Sequence, residues 1–391
     1  MPGTLSTVHM KTLIIILIAI IFMPWSAAPV SGNISVLNPI ENCANLDSIQ
    51  KESQNVRVVF WNVENLYDIY DDSTRQDEEF TSSGMKHWNY SRFILKINHL
   101  AKTLLSIGCW EPPAIVGMCE VENLNVLKKL VYQSPLKSFK YRIVHYDSPD
   151  LRGVDVALLY RPDQFEFISS RKISIRFPFD TLVKTRDILM VVGKVPRHDT
   201  LILFVNHWPS RRGGAMASQP RRNHVAGMLY HLTDSILTHN PMSNILIMGD
   251  FNDEPDCESI ISHLHARNDT SGLNNHDLIN LMYPKMKKEG THKFQGNWAI
   301  LDQFIVSASL FMGRNSLKTD YQSVQIYKGR YLLKEDTKFF GDTPARTYTG
   351  PRHTGGFSDH LPIFLDLRQL VTNRDLRPNS GDLCPTETTL P

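Results

Sequence analysis

Short apolar runs that end in polar residues recur along this chain, and they predict a series of buried strands. Residues 244–248 form one such run, and Gly249, Asp250 and Asn252 follow it directly. An apolar run of this length is typical of a strand buried on both faces. The same pattern predicts further strands at residues 56–65, 114–123, 141–146, 154–160, 171–175, 188–195, 201–209, 298–307 and 356–367.

Apolar residues recur at helical spacing between some of these strands. Phe93, Ile97, Leu100 and Leu104 lie three or four residues apart, which predicts an amphipathic helix over 89–107 that carries no chemistry. Residues 265–297 and 312–356 show no clear period, so we expect long polar connections there. Further helices are predicted at residues 124–131, 218–237 and 256–264.

Both ends of the chain differ from this pattern. Lys11 precedes an apolar run over 12–23, and the small residues Ala27 and Ala28 follow it, which is the layout of a secretory signal. We therefore expect export to the periplasm or the medium, with an uncleaved membrane anchor as the alternative. The predicted segments are a signal peptide at 1–28, a polar linker or arm at 29–54, a folded domain at 55–371 and a polar tail at 372–391.

Composition adds two constraints. The 391 residues carry a formal net charge of +2, so the chain has no overall basic field and any attraction to phosphate must be local. The five cysteines are few and scattered, which argues against a disulfide framework and against a zinc site. Export would still allow one or two disulfide bonds.

The polar residues at the predicted strand ends form one chemical set of carboxylates, amides and imidazoles. Strand ends in a layered fold meet on one rim, and several carboxylates there need a cation. Oxygen ligands without a cysteine cluster favour Mg²⁺, Mn²⁺ or Ca²⁺ over Zn²⁺. With histidines for proton transfer and arginines for an anion, the set indicates hydrolysis of a phosphate ester. Its members are Asn62, Glu64, Glu120, His207, Asp250, Asn252, Asp302, Asp359 and His360.

Seven short motifs, taken in order, resemble those of the endonuclease/exonuclease/phosphatase superfamily. This superfamily includes deoxyribonuclease I, abasic-site nucleases, neutral sphingomyelinases and inositol polyphosphate phosphatases, and the chain is most similar to exported bacterial members. Each motif is weak alone, but seven in the family order give a strong signal. The motifs cover residues 61–65, 120–123, 152–157, 206–211, 249–253, 301–304 and 358–362.

The resemblance implies an α/β fold in which two β-sheets form a sandwich flanked by helices, in the four layers of deoxyribonuclease I. It implies a divalent cation, Mg²⁺ or otherwise Mn²⁺ or Ca²⁺. Glu120 would be its main ligand, with Asn62, Glu64 and Asp359 close by.

The resemblance also implies catalytic roles. Asp250 would position or deprotonate the attacking water, and Asn252 would hold the scissile phosphate. His360, oriented by Asp302, would stabilise the transition state, and His207 would protonate the leaving oxygen.

Four arginines are expected to contact phosphate by the same resemblance. Arg186 and Arg211 resemble phosphate-holding residues, and Arg152 and Arg222 are weaker candidates. Asp155 is expected to orient His207.

We therefore expect a metal-dependent phosphodiesterase that acts as a nuclease on DNA or RNA, as a monomer with no stable protein partner. One alternative is an enzyme for lipid head groups or small phosphate esters, and another is a non-catalytic binding module. Lipid binding would need an exposed aromatic hairpin, which the sequence does not show clearly, although Phe339 and Phe340 lie in a long loop. Nucleic-acid binding would instead need a basic groove around Arg211, Arg212, Arg221 and Arg222.

Overall fold

Two β-sheets that pack face to face form the body of the protein, as a computed structural model shows. The structure describes residues 55–109, 111–195 and 199–370. The predicted signal peptide, the linker or arm before residue 55 and the tail from 372 lie outside the described residues. No helix in the described part of the chain is both long enough and apolar enough to cross a membrane.

The elements are numbered here in chain order. The strands are β1 Val56–Leu66, β2 Ile115–Val121, β3 Arg142–His145, β4 Asp155–Tyr160, β5 Glu166–Ile173, β6 Ile188–Lys194, β7 Thr200–His207, β8 Asn244–Asp250, β9 Ala266–Arg267, β10 Leu278–Asn280, β11 His292–Phe294, β12 Asn297–Ala299, β13 Asp302–Ser307, β14 Leu317–Lys318, β15 Val324–Ile326, β16 Leu333–Glu335, β17 Asp342–Pro344, β18 Tyr348–Thr349, β19 Arg352–His353 and β20 Ile363–Gln369. The α-helices are α1 Tyr90–Ile107, α2 Leu124–Tyr132, α3 Ala215–His239 and α4 Ala308–Met312.

Each main sheet has seven strands and mixes parallel with antiparallel pairs. The first runs β14-β20-β1-β2-β4-β3, with β15 also paired to β20, and the second runs β5-β6-β7-β8-β13-β10-β9. The central pairs β1/β2 and β7/β8 are parallel, so the carboxyl ends of these strands lie at the same edge of their sheet. The predicted α/β fold of two sheets flanked by helices is confirmed.

Strand register brings residues that are distant in the chain side by side. His207 at the end of β7 lies opposite Asp250 at the end of β8. Asp302 at the start of the antiparallel β13 lies opposite Asp250 from the other side. In the first sheet, Asn62 on β1 lies opposite Cys119 on β2, one residue before Glu120. Backbone pairing therefore gathers the polar strand exits within each sheet, and the packing of the two sheets brings both groups together.

The predicted elements match the structure best where they are long. The helix at 89–107 is α1, and the hairpin at 141–146 and 154–160 is β3 with β4. The expected helix at 256–264 is wrong in extent, because only a single wide helical turn forms, at Ser259–His263.

The two regions expected to be long connections are the main errors. Residues 265–297 contain β10, which is buried and pairs with β13 inside the second sheet. Residues 312–356 contain six short strands, among them the β16/β17 hairpin. Strands of two or three residues are too short to show the alternation by which a strand is recognised.

Gly249 allows the backbones of β7 and β8 to approach closely just before the polar exit. A Cβ atom at Gly249 would lie 2.6 Å from the carbonyl oxygen of Asn206, its cross-strand partner. Backbone atoms cannot rotate away as a flexible side chain can. The absence of a side chain at Gly249 is thus a condition for the alignment of His207 with Asp250.

We predict that Gly249→Ala lowers the free energy of unfolding by about 1–3 kcal/mol, because the added methyl forces two paired strands apart. Gly227→Ala is the matched control, since a Cβ on Gly227 in α3 meets nothing within 4 Å. That variant should gain about 0.5–1 kcal/mol from helix propensity. Urea unfolding of both variants measures the difference, and equal stabilities would contradict the close-approach argument.

Candidate active site

Asp250 lies at the centre of a buried polar cluster at the shared strand exits. Its Oδ2 atom accepts a hydrogen bond from the Asn62 amide at 3.0 Å. The same oxygen lies 3.6 Å from His207 Nε2 and 3.8 Å from His360 Nε2. All four side chains are buried. The structure therefore brings together one carboxylate, one amide and two imidazoles that the sequence placed in four separate motifs.

His360 is held in a fixed orientation by a second carboxylate. Its Nδ1 atom lies 2.7 Å from Asp302 Oδ2, and its backbone N–H donates to the Ser358 hydroxyl. Burial opposes a charge on the ring, but the carboxylates of Asp302 and Asp250 raise the pKa of His360 well above its ordinary value. His360 is therefore a buried cation at neutral pH, and its Nε2 is directed toward Asp250.

His207 has the opposite electrostatic setting. Burial, together with the charges of Arg186 and Arg152, lowers the pKa of His207 well below its ordinary value. Its Nδ1 atom is buried and has no hydrogen-bond partner among the described residues. The expectation that Asp155 orients His207 is wrong, because Asp155 Oδ2 lies 3.0 Å from His145 Nε2 instead.

Asp250 and Asn252 are joined through the turn that follows β8. The backbone N–H of Asn252 donates to Asp250 Oδ1 at 2.9 Å, and the Asn252 amide donates to the Trp208 carbonyl. Burial raises the pKa of Asp250 to about 6, with a further contribution from the negative charge of Asp302. A carboxylate with its pKa near neutrality can accept a proton from water.

Four residues at the strand exits adopt a left-handed backbone conformation that is uncommon outside glycine. Their φ angles are 51° for Glu64, 53° for Asn65, 61° for Glu120 and 52° for Asn252. Such conformations cost about 1–3 kcal/mol each in less tolerant residue types and persist where the surroundings enforce them. Here the enforced turns coincide with the predicted site, which supports a functional reason for them.

The three predicted metal-binding carboxylates each contact a basic or amide group of the protein. Glu120 accepts the Asn65 N–H at 2.9 Å and lies 3.5 Å from Arg152 Nη2. Glu64 accepts from Arg346 Nε at 3.1 Å, and Asp359 accepts from Arg346 Nη2 at 3.0 Å. The guanidinium of Arg346 therefore joins two of the predicted ligands.

Lys96 and Arg346 are site residues that sequence reasoning missed. Lys96 on α1 is buried and donates to the hydroxyl of Thr347 at 2.7 Å and to the Phe357 carbonyl. Burial lowers its pKa to about 8, although the carboxylates of Glu64 and Asp359 oppose that shift. The sequence implied no chemistry for α1, and Lys96 brings this helix close to the predicted metal-binding carboxylates. Lys96 lies on the apolar face of the helix, beside Ile97 in the sequence. A lysine on an apolar face is the sequence signal by which this residue could have been found.

Three of the four predicted phosphate-binding arginines lie close to the cluster. Arg152 contacts Glu120, as described, and its guanidinium also donates to Asn65. Arg186 is buried, donating to Asp150 and to the Trp208 carbonyl, while its Nε has no partner in the described part of the chain. Arg211 is partly exposed and donates to the Asn252 carbonyl at 2.8 Å.

Arg222 is the exception, and its predicted role in phosphate binding is wrong. Its side chain is fully buried, with Nε 2.7 Å from Asp253 Oδ2. Arg221, another member of the expected basic groove, is engaged in an ion pair with Asp180 at 2.6 Å. Arg211 and Arg212 are the members of that groove that remain exposed.

An exposed aromatic tip lies beside the cluster, contrary to the expectation that no clear aromatic hairpin is present. We define the aromatic tip as Phe294 on the β11/β12 hairpin with Phe339 and Phe340 on the β16/β17 hairpin. Lys293 joins the two hairpins by donating to the Phe340 carbonyl at 2.8 Å. The ring of His292, two residues before Phe294, lies 4.7 Å from that of His360.

The donor atoms of the site suit a hard divalent cation. Ligand atoms of Asp250, Asp302 and His360 lie within 4.8 Å of one another, and Asp302 Oδ1 is buried without a partner among the described residues. Glu120, Asn62, Glu64 and Asp359 add oxygen donors on the same rim. Such oxygen-rich sets are typical of magnesium, manganese and calcium sites.

Two packed sheets, with two histidines around a buried carboxylate at the strand exits, form the hydrolase fold of the endonuclease/exonuclease/phosphatase type. The chain belongs to the endonuclease/exonuclease/phosphatase family, whose model matches residues 57–369. The resemblance expected from the seven motifs is thereby confirmed. A comparison with curated protein sequences gave no match.

Solved structures share the fold at low sequence identity. An endonuclease/exonuclease/phosphatase family protein from Bacteroides thetaiotaomicron is 16% identical with a TM-score of 0.51, and the match covers 81% of this chain and 99% of that one. A mannosyl-6-phosphatase from the same organism is 14% identical with a TM-score of 0.50, covering 80% and 99%. A family member from Bacteroides vulgatus is 14% identical with a TM-score of 0.50, covering 81% and 99%.

We predict that Arg222→Met lowers the free energy of unfolding by about 3–5 kcal/mol, because it removes the fully buried cation that pairs with Asp253 and leaves only the partly exposed Arg211 as a charged partner. Arg211→Met is the matched control, since Arg211 pairs with the same Asp253 at 3.2 Å from a partly exposed position. Loss of that pair should cost less than about 1 kcal/mol. Thermal or urea unfolding tests this difference, and equal losses of stability in the two variants would contradict the structural role assigned to the buried Arg222.

Proposed function

We propose that the protein is a divalent-metal-dependent phosphodiesterase that acts on DNA or RNA. The observation that carries the proposal is the grouping around Asp250, which lies within 4 Å of two histidine nitrogens and accepts the Asn62 amide. Both imidazoles approach Oδ2 of one buried carboxylate, His207 from the end of β7 and His360 from the loop before β20. This arrangement fits proton transfer to and from a phosphate ester.

Each residue then has a distinct task. Asp250 orients the attacking water and accepts its proton, and Asn252 donates its amide to the scissile phosphate. His360, kept charged by Asp302, stabilises the negative charge that develops on the phosphate oxygens. A divalent cation held by Glu120, with Asn62 and Asp359, supplies further positive charge to the phosphate and the leaving oxygen when it is bound.

His207 is suited to donate a proton to the leaving oxygen only after substrate arrives. Its lowered pKa leaves the ring neutral at pH 7 in the free protein. An anionic phosphate beside the ring offsets the charges of Arg186 and Arg152 and so favours its protonation. The substrate itself would thereby set the protonation state that leaving-group departure requires.

We predict that His207→Ala and Asp250→Asn each lower kcat on bis-p-nitrophenyl phosphate by about 10²–10⁴-fold, the usual contribution of a positioned acid or base. Chelation of divalent cations should abolish turnover, and Mg²⁺, Mn²⁺ or Ca²⁺ should restore it. His276→Asn is the control, because His276 is exposed and pairs with Asp234. Wild-type turnover in both active-site variants would refute the mechanism, and no turnover with any ester would favour a binding module.

A second candidate function is hydrolysis of a lipid head group or a small phosphate ester. The aromatic tip favours a lipid surface, because Phe294 and Phe340 are 66% and 85% exposed and Phe294 follows two residues after His292, whose ring lies 4.7 Å from that of His360. Aromatic side chains partition well into the membrane interface. Because a mannosyl-6-phosphatase has the same fold, a sugar phosphate monoester should be included among the substrates that are tested.

The substrate classes make different predictions for salt dependence. If nucleic acid is the substrate, replacing Arg211 and Arg212 together by Gln should lower affinity for DNA and reduce the logarithmic salt slope by about 2. Replacing Phe294 and Phe340 by Ser should leave that slope unchanged. An unchanged slope in the arginine variant, with loss of sphingomyelin vesicle hydrolysis in the phenylalanine variant, would instead support the lipid function.

Export and a monomeric state remain predictions from sequence. The first depends on the signal peptide at 1–28, which the structure does not describe.

A further inference from the structure

A small cavity adjoins the predicted metal-binding carboxylates and has no role in the mechanism above. Its volume is about 220 Å³, and its lining includes Glu64, Asn65, Phe80, Lys86, Arg346 and Tyr348. Pockets that enclose a whole drug-sized ligand are larger, roughly 300–1,000 Å³. This cavity therefore fits one substituent of a larger substrate. We call it the cationic cavity.

Lys86 and Arg346 supply the positive charge of the cationic cavity. The ammonium of Lys86 lies 5.2 Å from the ring centre of Tyr348 and donates to the Gly350 carbonyl at 3.0 Å. Its acidic neighbour Glu79 lies farther away, at 3.7 Å, on a half-exposed side chain. Lys86 is thus held by an aromatic contact, a carbonyl and an ion pair with Glu79, and because solvent screens that half-exposed pair, it neutralises the charge of Lys86 only in part.

Arg346 connects the cationic cavity to the candidate active site. Its Nε and Nη2 donate to Glu64 and Asp359, and its Nη1 has no hydrogen-bond partner in the described part of the chain. Nearly half of the side chain is exposed, 46%. Glu64 has both of its oxygens occupied, by Arg346 and by the Thr347 N–H. The negative charge of Glu64 and Asp359 is therefore balanced by Arg346 together with the buried Lys96, while Nη1 of Arg346 and the ammonium of Lys86 keep donors available.

We propose that the cationic cavity binds a second phosphate group of the substrate, adjacent to the phosphate that is cleaved. Guanidinium and ammonium groups at one small cavity match a compact, multiply charged oxyanion. The inference rests on the proposed phosphodiesterase function, and it narrows the substrate to esters with a neighbouring anion, as in a polynucleotide. A choline head group is cationic, so the same cavity disfavours it.

Paired chromogenic substrates test this assignment during turnover. They are the p-nitrophenyl ester of thymidine 5′-phosphate with and without a 3′-phosphate, which differ only in the second anion. Lys86→Gln should reduce the preference in kcat/KM for the 3′-phosphorylated ester by about tenfold, as expected for loss of a charged hydrogen bond. Lys86→Arg should restore the preference. Lys194→Gln is the control, because Lys194 is the exposed last residue of β6 and does not line the cavity. This variant should keep the preference for the 3′-phosphorylated ester.

A binding measurement separates this proposal from the proposed function. Titration calorimetry of thymidine 3′,5′-bisphosphate with chelator-treated protein should show about tenfold weaker binding for Lys86→Gln than for wild type. If no ester is hydrolysed but this Lys86-dependent binding is present, the cationic cavity stands and the catalytic proposal falls. The other outcome is that esters are hydrolysed but Lys86→Gln changes the preference and the affinity no more than Lys194→Gln does. In that case the cavity assignment is wrong.

Discussion

The burial of the Asp250 carboxylate is the constraint on which the rest of the site depends. A buried carboxylate without partners would cost several kcal/mol, so its surroundings must supply hydrogen bonds and positive charge. The Asn62 amide and the Asn252 N–H supply the hydrogen bonds, and His360 supplies the charge. Because Asp250 ends a central strand between β7 and β13, sheet register fixes two of its neighbours. Strand pairing therefore fixes His207 and Asp302 around Asp250, while His360 reaches the site from the loop before β20 and is held there by Asp302.

The same reasoning explains how the rim holds several carboxylates close together. Glu64 and Asp359 share the guanidinium of Arg346, and Glu120 lies close to Arg152. Lys96 is close enough to Glu64 and Asp359 for their charges to act on its pKa. These basic residues come from α1, from the turn before β4 and from the segment before β18, so the charge balance ties distant segments together. A divalent ion would enter a site whose charges are already partly compensated, and it would compete with Arg346 for carboxylate oxygens.

The sequence predicted the fold and the cluster around Asp250 for one physical reason. Long buried strands carry an apolar pattern that is visible in a single sequence, and their polar exits follow the pattern directly. Arg346 could not be found in this way, because it lies between two-residue and three-residue strands that have no period. Arg222 shows the opposite failure. Its charge suggested phosphate binding, but burial and the pair with Asp253 depend on tertiary packing that composition does not reveal.

The two histidines show how identical side chains acquire different chemistry from their neighbours. His360 is paired with Asp302 and has Asp250 and Asp359 nearby, whereas His207 shares Asp250 but also has two arginines nearby and an unpartnered Nδ1. Substrate charge acts differently on the two, because a phosphate favours proton uptake by His207, while His360 is charged already. Arg346 extends this coupling outward, since it contacts Glu64 and Asp359 and also lines the cationic cavity. An anion bound in that cavity would compete with the two carboxylates for hydrogen bonds from the guanidinium of Arg346. Substrate binding there would therefore free carboxylate oxygens at the rim to bind a cation.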